Sequence, residues 1–224
     1  MLVSEINKSL AVRVSVDDIR VTRIQDFPKI GVRLSNISVD ESISFYKDKL
    51  IQADELNLYV NLMELYQGKY VIDEISIRGG TINIVDFVNS NNYDIIKSSN
   101  DKRSTNIGFE VDQLKLLNCY LKYNHIPSKT NINGFTSLSN IGIKYNNSST
   151  YLKIKSDLKN LNLLVSNDDY IDDKNVSFDT KIIVNTILKT IIIDKTELNI
   201  EKIHLMGLEW WSEYGEETLK FIED

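Results

Sequence analysis

The residues in this chain that could do chemistry are few and poorly spaced for it. His125 and His204 stand 79 positions apart (204 − 125), and Cys119 is the only cysteine. A zinc site needs three or four Cys, His or carboxylate ligands at short, regular spacings, and that spacing is missing. Carboxylates are more plentiful, with adjacent pairs at Asp17-Asp18, Asp168-Asp169 and Asp172-Asp173. Such pairs can share a proton or hold calcium, but the alternation of a calcium loop is absent, and Asp in these settings is expected at turns and bends. There is no Gly-x-Ser-x-Gly, P-loop or dinucleotide fingerprint, and Gly79-Gly80 reads as a turn. The expectation is no enzyme, no metal and no cofactor.

What the chain does repeat is an apolar phrase: two alternating apolar residues, a polar pair, then two more alternating apolar residues. It stands as Val14-x-Val16-Asp17-Asp18-Ile19-x-Val21, Val32-x-Leu34-Ser35-Asn36-Ile37-x-Val39 and Ile51-x-Ala53-Asp54-Glu55-Leu56-x-Leu58. It continues as Tyr70-x-Ile72-Asp73-Glu74-Ile75-x-Ile77, Phe109-x-Val111-Asp112-Gln113-Leu114-x-Leu116 and Leu198-x-Ile200-Glu201-Lys202-Ile203-x-Leu205. Shortened copies begin at Leu138 and Leu158. About two full copies would arise by chance at this hydrophobic content, and most spacings fall near 19 residues or twice that, as a repeated supersecondary unit requires.

Strand side chains alternate, so a three-residue step across the polar pair throws the second half of the phrase onto the opposite face. A one-residue β-bulge at the pair restores the face and bends the strand. Repeated in neighbouring strands, such bends curl a sheet around its apolar side. The alternatives are a strand whose halves serve different faces, and a two-residue hairpin, for which Asp-Asp and Ser-Asn are poor residues. On the bent-strand reading one face holds Val14, Val16, Ile19, Val21, Val32, Leu34, Ile37, Val39, Leu56, Leu58, Ile75, Ile77, Leu114 and Leu116. These residues either form the core of an ordinary sandwich or barrel, or line an open groove that solvates acyl chains.

The 224 residues allow one large β domain, and two prolines and nine glycines leave no linker of the usual composition. The expected division is one curved domain over 1–207 and an acidic, aromatic tail or last strand over 208–224. A formal charge of −6, with Lys and Arg scattered, argues against a nucleic-acid partner. A single Cys leaves the compartment undecided. No stretch approaches the roughly 18 apolar residues of a membrane span, and the first residues lack the pattern of a signal peptide.

Strands are expected at about 12–21, 30–39 and 50–60, with short helices at 2–11 and at Asn61–Gly68, the latter capped by Asn61 and ended by Gly68. Tyr70–Ile77 and Thr81–Val85 read as a hairpin turning at Arg78-Gly79-Gly80, and 88–106 as a loop. Further strands are expected near 107–117, 119–125, 135–145, 150–165, 175–188 and 190–205, with a tight turn at Asn146-Asn147-Ser148-Ser149. Ile182-Ile183-Val184 and Ile191-Ile192-Ile193 are apolar on both faces, which implies cover on both sides or a closing sheet.

Phe27-Pro28-Lys29-Ile30-Gly31-Val32-Arg33-Leu34, Ala53-Asp54-Glu55-Leu56-x-Leu58, Leu62-x-x-Leu65-Tyr66-x-Gly68-Lys69-Tyr70-Val71-Ile72 and Ile75-x-Ile77-Arg78-Gly79-Gly80-x-Ile82 occur here in the order and spacing of a known region. With Asn91-Asn92-Tyr93 after them, residues 1–97 resemble the N-terminal region of the AsmA-like family of the Gram-negative envelope; the remainder matches in style alone. The resemblance implies a mainly β fold: a curled antiparallel sheet forming an elongated groove of repeating β-groove type, with one or two short helices, related to chorein-type bridge proteins. It also implies inner-membrane anchorage, a periplasmic location and a part in phospholipid transport and outer-membrane biogenesis. Family members carry a transmembrane helix before the stretch matching 2–20 and are far longer, so the expectation is a piece lacking its anchor. The expected partners are phospholipids and a membrane, with envelope proteins recruited through sheet edges as the alternative function, and an uncharacterised hydrolase as a remote third.

Overall fold

The computed structural model describes residues 7, 10–23, 29–43, 48–61, 63, 66–67, 71–95, 110–146, 149–185, 187–188, 190–201, 203–213 and 216–218. These form twelve strands: β1 (Val14–Ser15), β2 (Asp18–Arg23), β3 (Lys29–Asp40), β4 (Lys49–Asn61), β5 (Val71–Asp86), β6 (Glu110–His125), β7 (Thr130–Asn146), β8 (Ser149–Val165), β9 (Asp168–Asn185), β10 (Thr190–Ile200), β11 (Ile203–Glu213) and β12 (Glu216–Thr218). All belong to one sheet in chain order, with β1 and β2 lying one after the other along the same side of β3. The sheet is curled and does not close. A mainly β, groove-like fold is therefore what this sequence makes, and the closed barrel is excluded.

One pairing departs from the antiparallel expectation. β5 and β6 run parallel, from Val71↔Glu110 to Asp86↔His125. Parallel neighbours need a crossover long enough to return to the strand's start, and residues 87–109, containing the expected loop, supply it. Residues 96–109 lie outside the described region.

The repeated phrase bends β3 at Ser35-Asn36, but without the expected one-residue bulge: Ser35 and Ile37 oppose Glu55 and Ala53, so β4 takes the same step. In β3, Val32, Leu34, Ile37 and Val39 stay on one face because Asn36 adopts φ 50° between them. Asn is among the few residues that tolerate this left-handed conformation. Register places Asp54, Gly79, Asn118 and Ser137 in successive strands beside Asn36, and Gly79 and Asn118 also have positive φ, 59° and 53°. The Asn36 amide donates to Asp17 Oδ2 at 2.9 Å, extending the line to the break between β1 and β2. A fold line thus crosses six neighbouring strand positions.

Several expectations are corrected. Arg78-Gly79-Gly80 is no hairpin turn but the middle of one 16-residue strand, where two glycines let the backbone jog without reversing. Segments 107–117 and 119–125 are likewise a single strand kinked at Asn118. In β5 the phrase itself makes a bulge, Asp73 being the extra residue between Tyr59↔Glu74 and Val60↔Ile72, but the larger bend lies beyond it. The last full copy is a hairpin: Ile200 pairs with Ile203, so 190–205 divides into β10 and β11. Glu201 takes φ 52° there, the positive φ such a turn demands. The 175–188 strand begins earlier, at Asp168, after a turn in which Ser166 and Asn167 both have positive φ. From Leu208 on, the segment completes β11 and adds β12, which is the strand alternative; 219–224 lie outside the described residues.

Two local signals read from sequence are present. Asn146 pairs with Ser149 around the tight turn, and Asn61 caps the short helical turn by accepting the Met63 N–H at 2.9 Å. Glu64, Gly68 and most of 2–11 lie outside the described residues. No helix among the described residues is long and apolar enough to cross a membrane.

At the end of β5 the neighbour β4 has already stopped, and the loop after β5 fills its place. Asn92 is fully buried; its Oδ1 accepts the Val85 N–H and its Nδ2 donates to the Asn83 carbonyl, both at 2.9 Å. Its backbone carbonyl accepts the Ser42 N–H, tying in the β3–β4 connection. Beside it Glu41 is buried with neither carboxylate oxygen in a well-formed hydrogen bond. Burial pushes its carboxyl above the ordinary carboxylate value; the nearby Asn92 amide and Asp48 backbone soften the effect, and the charges of Asp48 and Asp40 add to it. The folded state therefore holds this proton more tightly than the unfolded state, and stability falls as pH rises through the folded-state value. Glu41→Gln is expected to flatten that slope and raise stability at neutral pH, read as urea midpoints between about pH 4 and about pH 8.

Candidate functional site

Directly opposed residues in neighbouring strands project from the same face, so register shows where the apolar residues go. One row runs Ile19, Leu34, Leu56, Ile77 and Leu116; the next runs Val21, Val32, Leu58, Ile75 and Leu114. Val14 faces Val39 across the β1–β3 pair, Ile37 faces Ala53, and Val16 packs against the same cluster. The fourteen residues singled out from sequence are thus on one face, but they are not equivalent. Val14, Leu34, Ile37, Val39, Ile77 and Leu116 are buried, whereas Ile19 and Val21 on the edge are exposed, Val21 by 73%.

Burial follows the fold line. Positions next to it are deeply buried, Leu34 being 2% exposed and Cys119 and Thr136 fully buried, and over β1, β3 and β4 burial extends to Val14, Val39 and Leu50 at one end of the strands. Among the described residues no second layer of strands covers this face. A bent sheet that buries its midline without a covering layer is concave on that side: the fold line is a floor, the two halves of each strand are walls, and the interstrand turns form two rims.

Over β3–β6 this trough is filled. Leu10, Val12, Val16 and Ile95 pack against the buried cluster, and the Ala11 N–H donates to the Ile95 carbonyl at 2.7 Å. Over β7–β10 no described residue fills it. There the walls are Ile141, Ile143, Leu152, Ile154, Ile182 and Ile193, linked by register and all only half-buried. Sequence reasoning placed the face on the first half and did not include these residues, although the same alternation, as in Leu152-x-Ile154 and Ile191-x-Ile193, marks them.

The floor from β5 to β8 is narrow and carries small residues. Gly80, Cys119, Thr136, Ser139 and Ser156 follow one another across β5–β8. The inside of a sharp bend leaves little room, and hydroxyls fit provided they are paired. Thr136 Oγ1 lies 2.8 Å from Ser139 Oγ, which bonds Ser156 Oγ in turn, and Thr180 and Thr196 pair at 2.7 Å. The buried hydroxyls therefore satisfy one another. Near one rim, burial and then the Asp86 carboxylate push the Tyr123 phenol up to about 12, so it stays neutral. The outer face is polar along β3–β6, with ion pairs Arg33–Glu55 at 3.6 Å and Lys115–Glu74 at 2.6 Å. Opposite the floor it has a dent of about 370 Å³, edged by Asn36, Gln52, Asp54 and Thr81, which is the outer side of the same fold line.

The reactive residue types stay apart. His125 Nδ1 is 2.6 Å from Ser128 Oγ in an exposed turn, and Ser128 bonds Thr130, but among the described residues no carboxylate bonds the imidazole. His204 lies in β11, in register with Asn199. Burial pushes the Cys119 thiol up, away from the thiolate. Asp17 accepts from Asn36, and Asp173, at φ 51°, accepts from the Asn160 amide at 2.6 Å, so these carboxylates hold bends. Among the described residues no group of three His, Cys, Asp or Glu is placed to hold a metal. Nor do the described residues cover the double-faced segments: Ile192 is exposed on the outer face of a sheet that stays open. No family model matches this chain, and no curated protein matches it.

Proposed function

We propose that the chain is a non-enzymatic lipid-handling module whose trough holds phospholipid acyl chains, as part of a system that moves lipid between inner and outer membranes. The observation that carries this reading is the half-buried apolar wall of β7–β10, which no other strand among the described residues covers. Each methylene taken from water into such a wall contributes about 0.8 kcal/mol, so an acyl chain is held without any specific polar contact. The resemblance of residues 1–97 to the AsmA-like family supports the same reading, and with it a periplasmic setting at the inner membrane.

Native mass spectrometry of gently purified protein is expected to show bound phospholipid. Leu34 is a poor place to test this with a charge, since it is 2% exposed and structural. Leu152→Asp with Ile193→Asp flanks Ile182 on the open wall and should remove the lipid while the far-UV spectrum stays β. Lipid-free wild-type protein would sink the proposal. The second reading is an envelope scaffold that recruits partners by strand addition; the free edge of β2, with Val21 exposed, favours it. It predicts indifference to the wall charges and loss of a partner when Val21 is replaced by Pro.

A further inference from the structure

The rim formed by the β7–β8, β9–β10 and β11–β12 turns differs from the opposite one. Its β9–β10 turn carries Ile187 and Leu188, 75% and 67% exposed. They are held outward: Asn185 Oδ1 accepts both of their N–H groups, at 3.0 and 2.8 Å. Just behind this tip the outer face has an apolar row, Tyr151, Ile183 and Ile192, in register with Trp211. Lys144 stands in that row, opposite Tyr151, and Lys153 and Lys181 stand behind it; all three are exposed and, among the described residues, without an ion pair. Acidic residues are set to one side, with Asp194 opposite Lys181 and with Glu213 and Glu216 closing the β11–β12 turn. The opposite rim, which turns on Pro127-Ser128-Lys129 and Ser166-Asn167, exposes Val88, Tyr93 and Ile126 around the end of β5 and, farther along, Tyr170 and Ile203.

An aliphatic tip, a band containing Tyr and Ile, and then lysines at headgroup depth is the layering of an element that dips into a bilayer interface. We infer that the Ile187–Leu188 rim docks on an anionic phospholipid surface, with the tip in the acyl region and Lys144, Lys153 and Lys181 on lipid phosphates. On β9 and β10 the inner wall is apolar to its last residues, Val184 opposite Ile191, with Thr150 of β8 beside them, so docking sets the mouth of the trough against the acyl layer. The inference rests on the trough reading for its purpose but is tested apart from it.

The test is flotation with vesicles of phosphatidylcholine containing phosphatidylglycerol, against phosphatidylcholine alone. Wild type is expected to float better with the anionic vesicles. Ile187→Asp with Leu188→Asp, outside every packed cluster, should lower partitioning roughly tenfold or more. Lys153→Glu with Lys181→Glu should abolish the preference for the anionic vesicles. Both variants should keep their lipid load by mass spectrometry; a load lost only through the wall charges and flotation lost only through the tip support the two sites separately. A wild type that fails to float overturns the docking surface, as does a tip variant that floats like wild type. Tip variants that dissociate a dimer without changing flotation would make the rim a contact between copies and would equally overturn it.

Discussion

Gly80→Ala is expected to cost about 3 kcal/mol or more, a large part of the roughly 5–15 kcal/mol that holds a domain of this kind folded. Gly80 has φ 152°, a region that residues with a Cβ rarely enter. The added carbon would also be built into the Gln52 carbonyl oxygen and would lie 2.6 Å from the Ala53 Cα. Both obstacles are backbone of the adjacent strand, so no rotamer change relieves them. Gly142→Ala is the control, because its Cβ would meet Lys153 at an ordinary 3.9 Å and its φ is not in the left-handed region. Urea midpoints of the two variants should separate clearly. Equal midpoints would mean that the fold line does not depend on Gly80.

Asn92→Ala is expected to cost about 2–4 kcal/mol, since it strands both the Val85 N–H and the Asn83 carbonyl in a dry environment. The Asn92 amide stands in for the strand β4 does not supply at this height. Loss should appear as a lowered urea midpoint and as faster hydrogen exchange at the Val85 amide. Asn91→Ala is the milder comparison, because its side chain accepts only the exposed Tyr93 N–H, at 3.1 Å.

Legibility in the sequence followed the range of the interactions involved. The three-residue step across Ser35-Asn36 is a local signal, and it correctly keeps Leu34 and Ile37 on one face. The Asn61 cap and the Asn146–Ser149 turn are equally local. Gly79-Gly80 misleads for a physical reason: positive φ serves a reversing turn and a jogging strand alike, and only the neighbours Gln52 and Asp54 decide which forms. Asn118 gives no signal beyond being an Asn in an apolar run. The parallel β5–β6 pair depends on where a long connection returns the chain, which periodicity does not encode. For the candidate site, the apolar alternation finds the correct face but not its open portion, because the plug of Leu10, Val12 and Ile95 comes from segments distant in sequence. The hydroxyl floor escaped notice because Thr136, Ser139 and Ser156 are polar by type and acquire their role only by pairing across strands.

The parallel join between β5 and β6 also bears on how the chain acquires its shape in time. On either side of it, strands are added as hairpins or near neighbours, each closing a short loop at small entropic cost. The join itself can form only after the chain has returned across the length of a strand, so it is the contact of greatest sequence separation between adjacent long strands. Folding speed falls as such distant contacts dominate. Two meanders, one on each side, are expected to take form first, with their docking along Ile77 and Leu116 as the slow step that makes the trough continuous.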